Sequence, residues 1–293
     1  MKIAALDIGG TSIKSGLWDG AEISEIRETD TNAALGGARL MENAVKILKS
    51  YSGFDAIGIS TAGQVDVENG TICYANDNIP GYTGTKIREI FEKEFGVPVF
   101  VDNDVNAAAY GEMAHGAAKG LSDFLCLTYG TGIGGAFVTG GKIYYGSTYC
   151  GASFGGIVVH PEDIVPGVDF SGCYEKYASA TALVKSAMKV DPELTNGRKI
   201  FEASARPEIK AVIDGWIDEI VYGLITLIHI FNPTDIVLGG GVLSQSYVAN
   251  RIKMQVFKYV YPQTRNVRLH QAKLANSAGM IGAAFMAQKL IEK

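Results

Sequence analysis

Two glycine clusters, at residues 7–11 and 130–135, constrain the fold of this chain more than any other feature. The first reads Asp-Ile-Gly-Gly-Thr and the second Gly-Thr-Gly-Ile-Gly-Gly, and each lies between two apolar, β-prone runs. Glycines between such runs predict a tight β-hairpin. Because glycine lets bare backbone N–H groups approach an anion, such a turn can also bind phosphate. One hairpin is more often simply a turn, but two in separate halves, each with a Thr, predict that both bind one polyphosphate.

Strands and helices alternate along the rest of the chain. At 293 residues the chain is long enough for two domains, and the pattern restarts near Asp123, which predicts a boundary near residue 119. Apolar residues at helical spacing and helix-ending Gly or Pro predict helices at 36–52, 84–95, 104–118, 208–231 and 277–292. The alternation indicates an α/β protein whose halves meet at a hinge rather than at a flexible linker.

The composition is that of an ordinary folded protein. Hydrophobic residues make up 47% and charged residues 19%, and the net charge of −5 argues against nucleic acid or an anionic membrane as a partner. No apolar run approaches the ~20 residues that span a bilayer, and Asp7 interrupts any signal-peptide core. The four scattered cysteines form no Cys-x-x-Cys pair, which favours reduced thiols and a cytoplasmic location.

Asn103 and Asp104 are the candidate catalytic pair. They follow a predicted buried strand at 99–101 and precede a predicted helix, a position where open α/β sheets bind ligands. Asp104 could instead be a simple helix N-cap. The run 102–104, followed by Asn106, is unusually polar for such a turn. A carboxylate beside an amide suits a polyol, since the carboxylate can accept a hydroxyl proton while the amide orients neighbouring hydroxyls.

Together these motifs resemble the ROK family, which comprises sugar kinases and repressors of the actin-like ATPase superfamily. The resemblance covers nearly the whole chain and is carried by segments in the family's order: 7–11, 61–66 (with Ala62 where Pro is usual), 78–82, 103–104, 130–135, 238–242 and 278–284. It implies two actin-like (ribonuclease H-like) α/β domains flanking an interdomain cleft. The N-terminal domain would be residues 1–118, joined by the C-terminal helix 277–292, and the C-terminal domain would be residues 119–276.

The resemblance also implies an activity. The expected reaction is transfer of the γ-phosphoryl group of ATP to the 6-hydroxyl of a sugar, with Asp104 as the general base and Mg²⁺ near Asp7, held through water. The protein would be a homodimer formed through the second domain. The implied substrate-binding positions are Gly63, Asn78, Asn103, Asp104, Ser153 and Glu175. The implied nucleotide-binding positions are Asp7, Gly9, Gly10, Thr11, Lys14, Gly130, Thr131, Gly132, Gly239, Gly240 and Gly241.

The chain departs from the family at its zinc loop. Most ROK kinases carry Glu-x-Gly-His and then Cys-x-Cys-Gly-x-x-Gly-Cys-x-Glu, whereas only 172–175 matches here. The other two Cys positions are Pro166 and Val168, and Glu-x-Gly-His falls on 153–156. His160 and Cys173 alone are too few ligands, so no zinc site is predicted. The loop would then be held by packing of four apolar side chains: Ile164, Val165, Val168 and Phe170.

The same departure changes the expected sugar. Ser153 and Gly156 stand where the family places a Glu and a His that bind the sugar hydroxyls near C1 to C3. The smaller residues leave space for a bulkier or axial C2 substituent, and zinc-less members of the family include N-acetylmannosamine kinases. N-acetylmannosamine is therefore the expected substrate. A β-glucoside kinase, using the space for an aglycone, and a glucokinase remain alternatives.

Other classes of protein fit less well. Residues 130–135 satisfy the Gly-x-Gly-x-x-Gly of dinucleotide-binding enzymes, but a β-hairpin rather than a helix is predicted to follow. No Gly-Lys-Ser/Thr follows either glycine cluster, which argues against a P-loop kinase. A sugar-responsive repressor needs a DNA-binding helix-turn-helix ahead of the first hairpin, which begins at residue 7. A non-catalytic sugar sensor on the kinase fold is a further alternative, and retention of Asp104 beside intact hairpins argues against it.

Overall fold

The computed structural model describes residues 1–292. Its first part contains β1 (Ile3–Ile8), β2 (Ser12–Trp18), β3 (Ile23–Asp30), α1 (Gly36–Leu48), β4 (Ala56–Thr61), β5 (Gln64–Asp66), β6 (Thr71–Tyr74), α2 (Ile87–Phe95), β7 (Val99–Asn103) and α3 (Asp104–His115). Next come β8 (Phe124–Tyr129), β9 (Ile133–Thr139), β10 (Lys142–Ile143), α4 (Tyr174–Ala178), α5 (Ala180–Val190), α6 (Gly197–Glu202), α7 (Pro207–Phe231), β11 (Asp235–Gly239), α8 (Ser246–Tyr259), β12 (Arg268–Gln271) and α9 (Ala278–Ile291). The five predicted helices are α1, α2, α3, α7 and α9, with ends within a few residues of those predicted.

The chain forms two compact units, each with its own hydrophobic core. Unit 1 comprises Met1–Leu121, Ile143–Gly151 and the C-terminal segment from Asn276, and unit 2 comprises Ser122–Lys142 and Ala152–Ala275. The cores are built from the buried faces of the sheets and of the helices that cover them. No helix within residues 1–292 is long and apolar enough to cross a membrane.

Each unit contains one five-stranded mixed sheet, and the two sheets have the same topology. The strand orders are β3-β2-β1-β4-β7 and β10-β9-β8-β11-β12. In both sheets the first strand pairs antiparallel with the second and parallel with the fourth. Both glycine clusters therefore occupy equivalent hairpins, β1–β2 and β8–β9, as predicted. The repeated arrangement confirms the α/β, actin-like fold class.

Helix α9 packs in unit 1 through small residues. A Cβ on Gly58 of β4 would lie 2.3 Å from Ala283 O, and one on Gly111 of α3 would lie 2.3 Å from Ala278 O. These contacts leave room only for hydrogen at the glycine positions, so α9 lies directly against α3 and β4. The C-terminal helix therefore belongs to the unit formed by the N-terminal residues.

Residues 143–151 differ from the predicted domain boundary. The sequence placed them in the C-terminal domain, 119–276, whereas they belong to unit 1. Their contacts explain this: Ile143 N–H donates to Tyr110 Oη at 3.2 Å, and Tyr145 Oη donates to Asp102 Oδ2 at 2.7 Å. Such side-chain contacts between distant parts of the chain leave no periodic signal in the sequence.

Candidate active site

The first glycine hairpin is fixed by the residue that follows β3. Gly9 N–H donates to Ser12 O at 3.0 Å, and Thr31 Oγ1 donates to Gly9 O at 2.7 Å. Thr31 N–H also donates to Thr11 O at 2.9 Å. A Cβ on Gly10 would meet no atom within 4 Å, so the tip of the turn is open. The backbone of this turn can therefore be approached by an anion.

Asp7 lies at the end of β1, beside this turn. Its Oδ1 accepts a hydrogen bond from Ser60 Oγ at 2.7 Å, and Lys14 is its cross-strand neighbour on β2. Burial raises the pKa of Asp7, while the Ser60 hydrogen bond and the Lys14 charge oppose that rise. Gly279 of α9 is packed against the pair, since its Cβ would lie 2.7 Å from Ser60 Oγ and 3.1 Å from Asp7 Oδ1. The start of α9 thus closes one side of the Asp7 carboxylate.

Asp104 is the first residue of α3, and Asn103, rather than Asp104, is the N-cap. Asn103 Oδ1 accepts from Val105 N–H at 2.9 Å and from Asn106 N–H at 3.4 Å, which satisfies two orphan donors of the helix. Asp104 is therefore not the N-cap, although its Oδ1 also accepts from Val105 N–H at 2.9 Å, and the residue as a whole is exposed. The protein atoms crowded around its carboxyl, followed by the negative charge of Asp7, raise the pKa of Asp104 to about 6. Such a group can accept a proton near neutral pH.

Asn103 also connects the base to the predicted sugar segment. Its Nδ2 donates to Gly63 O at 2.9 Å. Gly63 has φ +94°, and a Cβ there would approach Tyr74 O to 3.0 Å, so the turn after β4 requires glycine. The Asn103 side chain thus fixes this loop, whereas the sequence assigned it to sugar hydroxyls. Asn78 is exposed in the connection between β6 and α2.

The second glycine hairpin is supported by Glu175. Gly130 N–H donates to Gly132 O at 2.9 Å within the turn, and a Glu175 carboxylate oxygen accepts from Ile133 N–H at 3.0 Å. A Cβ on Gly132 would lie 2.2 Å from that carboxylate, and one on Gly155 would lie 3.4 Å from it. Glu175, predicted as a sugar contact, therefore holds the backbone of the hairpin.

The predicted adenosine turn, Gly239 to Gly241, lies beside the strand leading into the second hairpin. Gly240 has φ +118°, and its Cβ would lie 2.2 Å from Tyr129 O at the end of β8. No other residue type fits this approach of two backbones. The turn and the hairpin are consequently adjacent within unit 2.

The loop at 157–173 is held by polar contacts, so the predicted apolar packing is wrong. Its four apolar side chains are between 47% and 55% exposed: Ile164, Val165, Val168 and Phe170. Instead, His160 bridges the loop to helix α7, with Nε2 at 2.9 Å from Glu219 Oε2 and Nδ1 at 3.0 Å from Glu162 Oε1. Ser171 Oγ donates to Val168 O at 2.8 Å inside the loop. The chain here uses side-chain hydrogen bonds in place of a buried cluster.

The zinc prediction depends on which side chains could bind a metal, and the sugar prediction depends on the space around Ser153 and Gly156. Within residues 1–292, no group of three or more His, Cys, Asp and Glu side chains is arranged to hold a metal ion. Ser153 and Gly156 are exposed, and a Cβ on Gly156 would meet only Phe170 Cε1, at 3.7 Å. Of the two positions that replace the family's Glu and His, Ser153 is therefore exposed, and Gly156 has only Phe170 close to it.

The predicted site residues divide between the units. Unit 1 carries the first hairpin, Asp7, Gly63, Asn78 and the Asn103–Asp104 pair, and unit 2 carries the second hairpin, Ser153, Glu175 and the adenosine turn. Sequence reasoning missed Ser60, although a polar residue near the end of the apolar strand β4 was a signal. It noted Asp102 only as part of a polar run and did not find Tyr145, whose partner is 43 residues away.

The comparisons with known proteins agree with this arrangement. The model of the ROK family matches residues 3–290. An uncharacterised protein from Clostridium perfringens is 36% identical, with 96% of each chain covered. A glucokinase from Thermotoga maritima is 29% identical over 99% of this chain and 98% of the relative. A β-glucoside kinase from Listeria innocua is 31% identical over 97% of each chain.

Solved structures of sugar kinases are also similar to this chain over nearly its whole length. The ROK hexokinase from Thermus thermophilus has 31% identity and a TM-score of 0.85, with 100% of this chain and 99% of that one covered. A Streptomyces griseus ROK glucokinase bound to glucose and AMPPNP has 28% identity and a TM-score of 0.84, covering 99% and 100%. A candidate N-acetylmannosamine kinase from Listeria monocytogenes has 27% identity and a TM-score of 0.88, covering 99% and 100%. The family match, the full-length relatives and the duplicated fold together establish that this chain belongs to the ROK family.

Proposed function

We propose that the protein is an ATP-dependent sugar kinase that phosphorylates the 6-hydroxyl of a hexose derivative. The observation that carries the proposal is the Asp104 carboxylate, which lies directly after the Asn103 N-cap of α3 and whose pKa is raised to about 6. The relatives named glucokinase and β-glucoside kinase support the reaction class.

In this proposal Asp104 accepts the proton of the sugar hydroxyl as that oxygen attacks the γ-phosphorus of ATP. The bond from O6 to phosphorus forms, the bond from phosphorus to the β,γ-bridging oxygen breaks, and ADP leaves with the electron pair. Phosphoryl transfer requires mostly positioning and charge stabilisation from a protein. The open turns at Gly10 of the first hairpin and at Gly130 of the second can each offer backbone N–H groups to a phosphate.

Mg²⁺ is the cofactor that this reaction implies, and the residues near the first hairpin fit it. Mg²⁺ prefers oxygen ligands and keeps several waters, so one or two carboxylates plus substrate phosphates hold it. Asp7 is such a carboxylate, beside the turn and oriented by Ser60. When bound, Mg²⁺ would neutralise phosphate charge; the residue that would hold it, through water, is Asp7.

N-acetylmannosamine is the sugar that we propose. Support comes from the exposed positions Ser153 and Gly156, which replace larger polar residues of the family, and from the likeness to the candidate N-acetylmannosamine kinase. An acetamido group at C2 would use the space that these residues leave. The β-glucoside kinase relative supports one alternative, in which an aglycone occupies that space, and the glucokinase relative supports phosphorylation of glucose itself.

A coupled assay of ADP release tests the proposal. N-acetylmannosamine, N-acetylglucosamine, glucose, mannose and cellobiose are each supplied with ATP and Mg²⁺. We expect sugar-dependent ADP release, greatest for N-acetylmannosamine, and a fall in kcat of about 10²- to 10⁴-fold for Asp104→Asn. Asp19→Asn is the matched control, since Asn can keep the turn hydrogen bonds of this exposed carboxylate. Sugar binding without any ADP release would instead identify a non-catalytic sensor.

A further inference from the structure

Asp102 is a buried carboxylate that the proposed chemistry does not use. It is fully buried at the end of β7, directly before the Asn103–Asp104 pair. Its Oδ1 accepts from Asn103 N–H at 2.7 Å and from Asn106 Nδ2 at 3.0 Å. One carboxylate therefore fixes the chain on both sides of Asp104.

The other oxygen of Asp102 is held by Tyr145. Tyr145 Oη donates to Asp102 Oδ2 at 2.7 Å, from the 143–151 segment that belongs to unit 1. A hydrogen bond to an ionised, buried carboxylate is among the stronger ones in proteins. Removing the hydroxyl would leave Asp102 Oδ2 without this donor, so that the carboxylate would be held through Oδ1 alone.

The 143–151 segment is itself fixed near both ends. Ile143 N–H donates to Tyr110 Oη, and Cys150 Sγ lies 2.9 Å from Gln64 Oε1. Tyr149 has φ +60°, a backbone conformation that residues other than glycine rarely adopt. Its hydroxyl is hydrogen-bonded to the carboxylate of Asp66, which belongs to the predicted sugar loop, and this contact helps to hold the conformation. Because the segment is fixed near both ends, Tyr145 within it can hold Asp102 in one position.

We infer that Tyr145 is a positioning residue for the reaction and acts on Asp104 through Asp102. The inference rests on the proposed function, because Asp104 must be the base for its placement to matter. Tyr145 and Asp102 set the path of the chain through Asn103, and Asn103 in turn caps α3 and holds the Gly63 loop. A displacement of about 1 Å at a reacting group can cost on the order of 10²-fold in rate.

The test is a double-mutant cycle between Tyr145→Phe and Asp104→Asn, measured with the sugar that wild-type protein phosphorylates. We expect Tyr145→Phe to lower kcat by about 10- to 100-fold and to leave the KM for ATP within about twofold. In the Asp104→Asn background the same change is expected to alter the residual kcat by less than about twofold. Tyr222→Phe, which removes one exposed hydroxyl from α7, is the control and should match wild type.

The outcomes separate the inference from the proposed function. If wild type phosphorylates no sugar, the proposed function fails. If wild type is active but Tyr145→Phe retains its kcat, or lowers kcat equally in both backgrounds, the positioning role is wrong. Asp102→Asn, of nearly the same volume, gives a second test should Tyr145→Phe not fold. A kcat for Asp102→Asn equal to that of wild type would likewise overturn the inference.

Discussion

Substitution of Gly282 by alanine is expected to be severely destabilising, because α9 and α3 touch backbone to backbone there. A Cβ on Gly282 would lie 1.7 Å from Ala107 O and 2.6 Å from Gly111 N, against an ordinary contact distance of at least 3.4 Å. Both obstacles are main-chain atoms, so no rotamer change relieves the overlap. The two helices would have to move apart.

The cost can be bounded from known substitutions. Overpacking a core costs typically about 1–3 kcal/mol and more where the surroundings cannot yield, so we expect roughly 3–5 kcal/mol here. For a domain of this size about 1 kcal/mol corresponds to roughly 2–4 °C, which gives a fall in Tm of about 6–20 °C. Since α3 begins at Asp104, the same displacement should lower kcat in the protein that remains folded.

Gly215→Ala is the matched control. Gly215 lies on the exposed side of α7, and a Cβ there would meet no atom within 4 Å. Alanine should therefore stabilise the protein by about 0.5–1 kcal/mol, through its higher helix propensity. Thermal and urea unfolding followed by circular dichroism measure both variants. An unfolding midpoint of Gly282→Ala equal to that of wild type would refute the close packing of α9 on α3.

Three further predictions concern the site. Glu175→Gln removes the charge that holds Ile133 N–H, so we expect a loss of about tenfold in kcat/KM for ATP, with an unchanged Tm. Elemental analysis should find far less than one zinc per chain, and a chelator should leave Tm unchanged; one zinc per chain would contradict the reading of the 157–173 loop. Burial raises the pKa of Asp102 to about 6, so its contribution to stability is present below about pH 4 and is lost as the pH rises through 6. Asp102→Asn should flatten the pH dependence of the urea midpoint across this range; an equally steep dependence in the variant would show that Asp102 is not responsible.

Local pattern was enough to predict the elements that carry the site. The hairpins β1–β2 and β8–β9 were predicted because glycines lie between β-prone runs, and helix α3 because Asp104 is a residue type that begins helices. The same patterns identified the family, which the match over residues 3–290 confirms. The roles of the individual site residues remain predictions.

Assignments that depend on distant partners could not be made in this way. The sequence left open whether Asp104 caps its helix, and the backbone geometry gives that role to Asn103. The apolar residues of the 157–173 loop suggested packing, but hydrophobic character alone does not say what covers a side chain, and His160 with Glu219 holds the loop instead. A histidine and a glutamate 59 residues apart show no spacing that predicts their contact.

The sequence by itself therefore determined the two glycine hairpins, the repeated α/β pattern and the candidate base, because each depends on residues within one turn or one strand. Only the tertiary structure decided which groups surround that base. In unit 1, Asp102 meets Tyr145, and Asp7 meets Ser60 and Gly279. In unit 2, Glu175 meets the second hairpin. Each of these contacts joins separate strands, helices or loops of one unit. Periodicity specifies which face of an element is buried, whereas the partner on that face is set by how the whole chain folds.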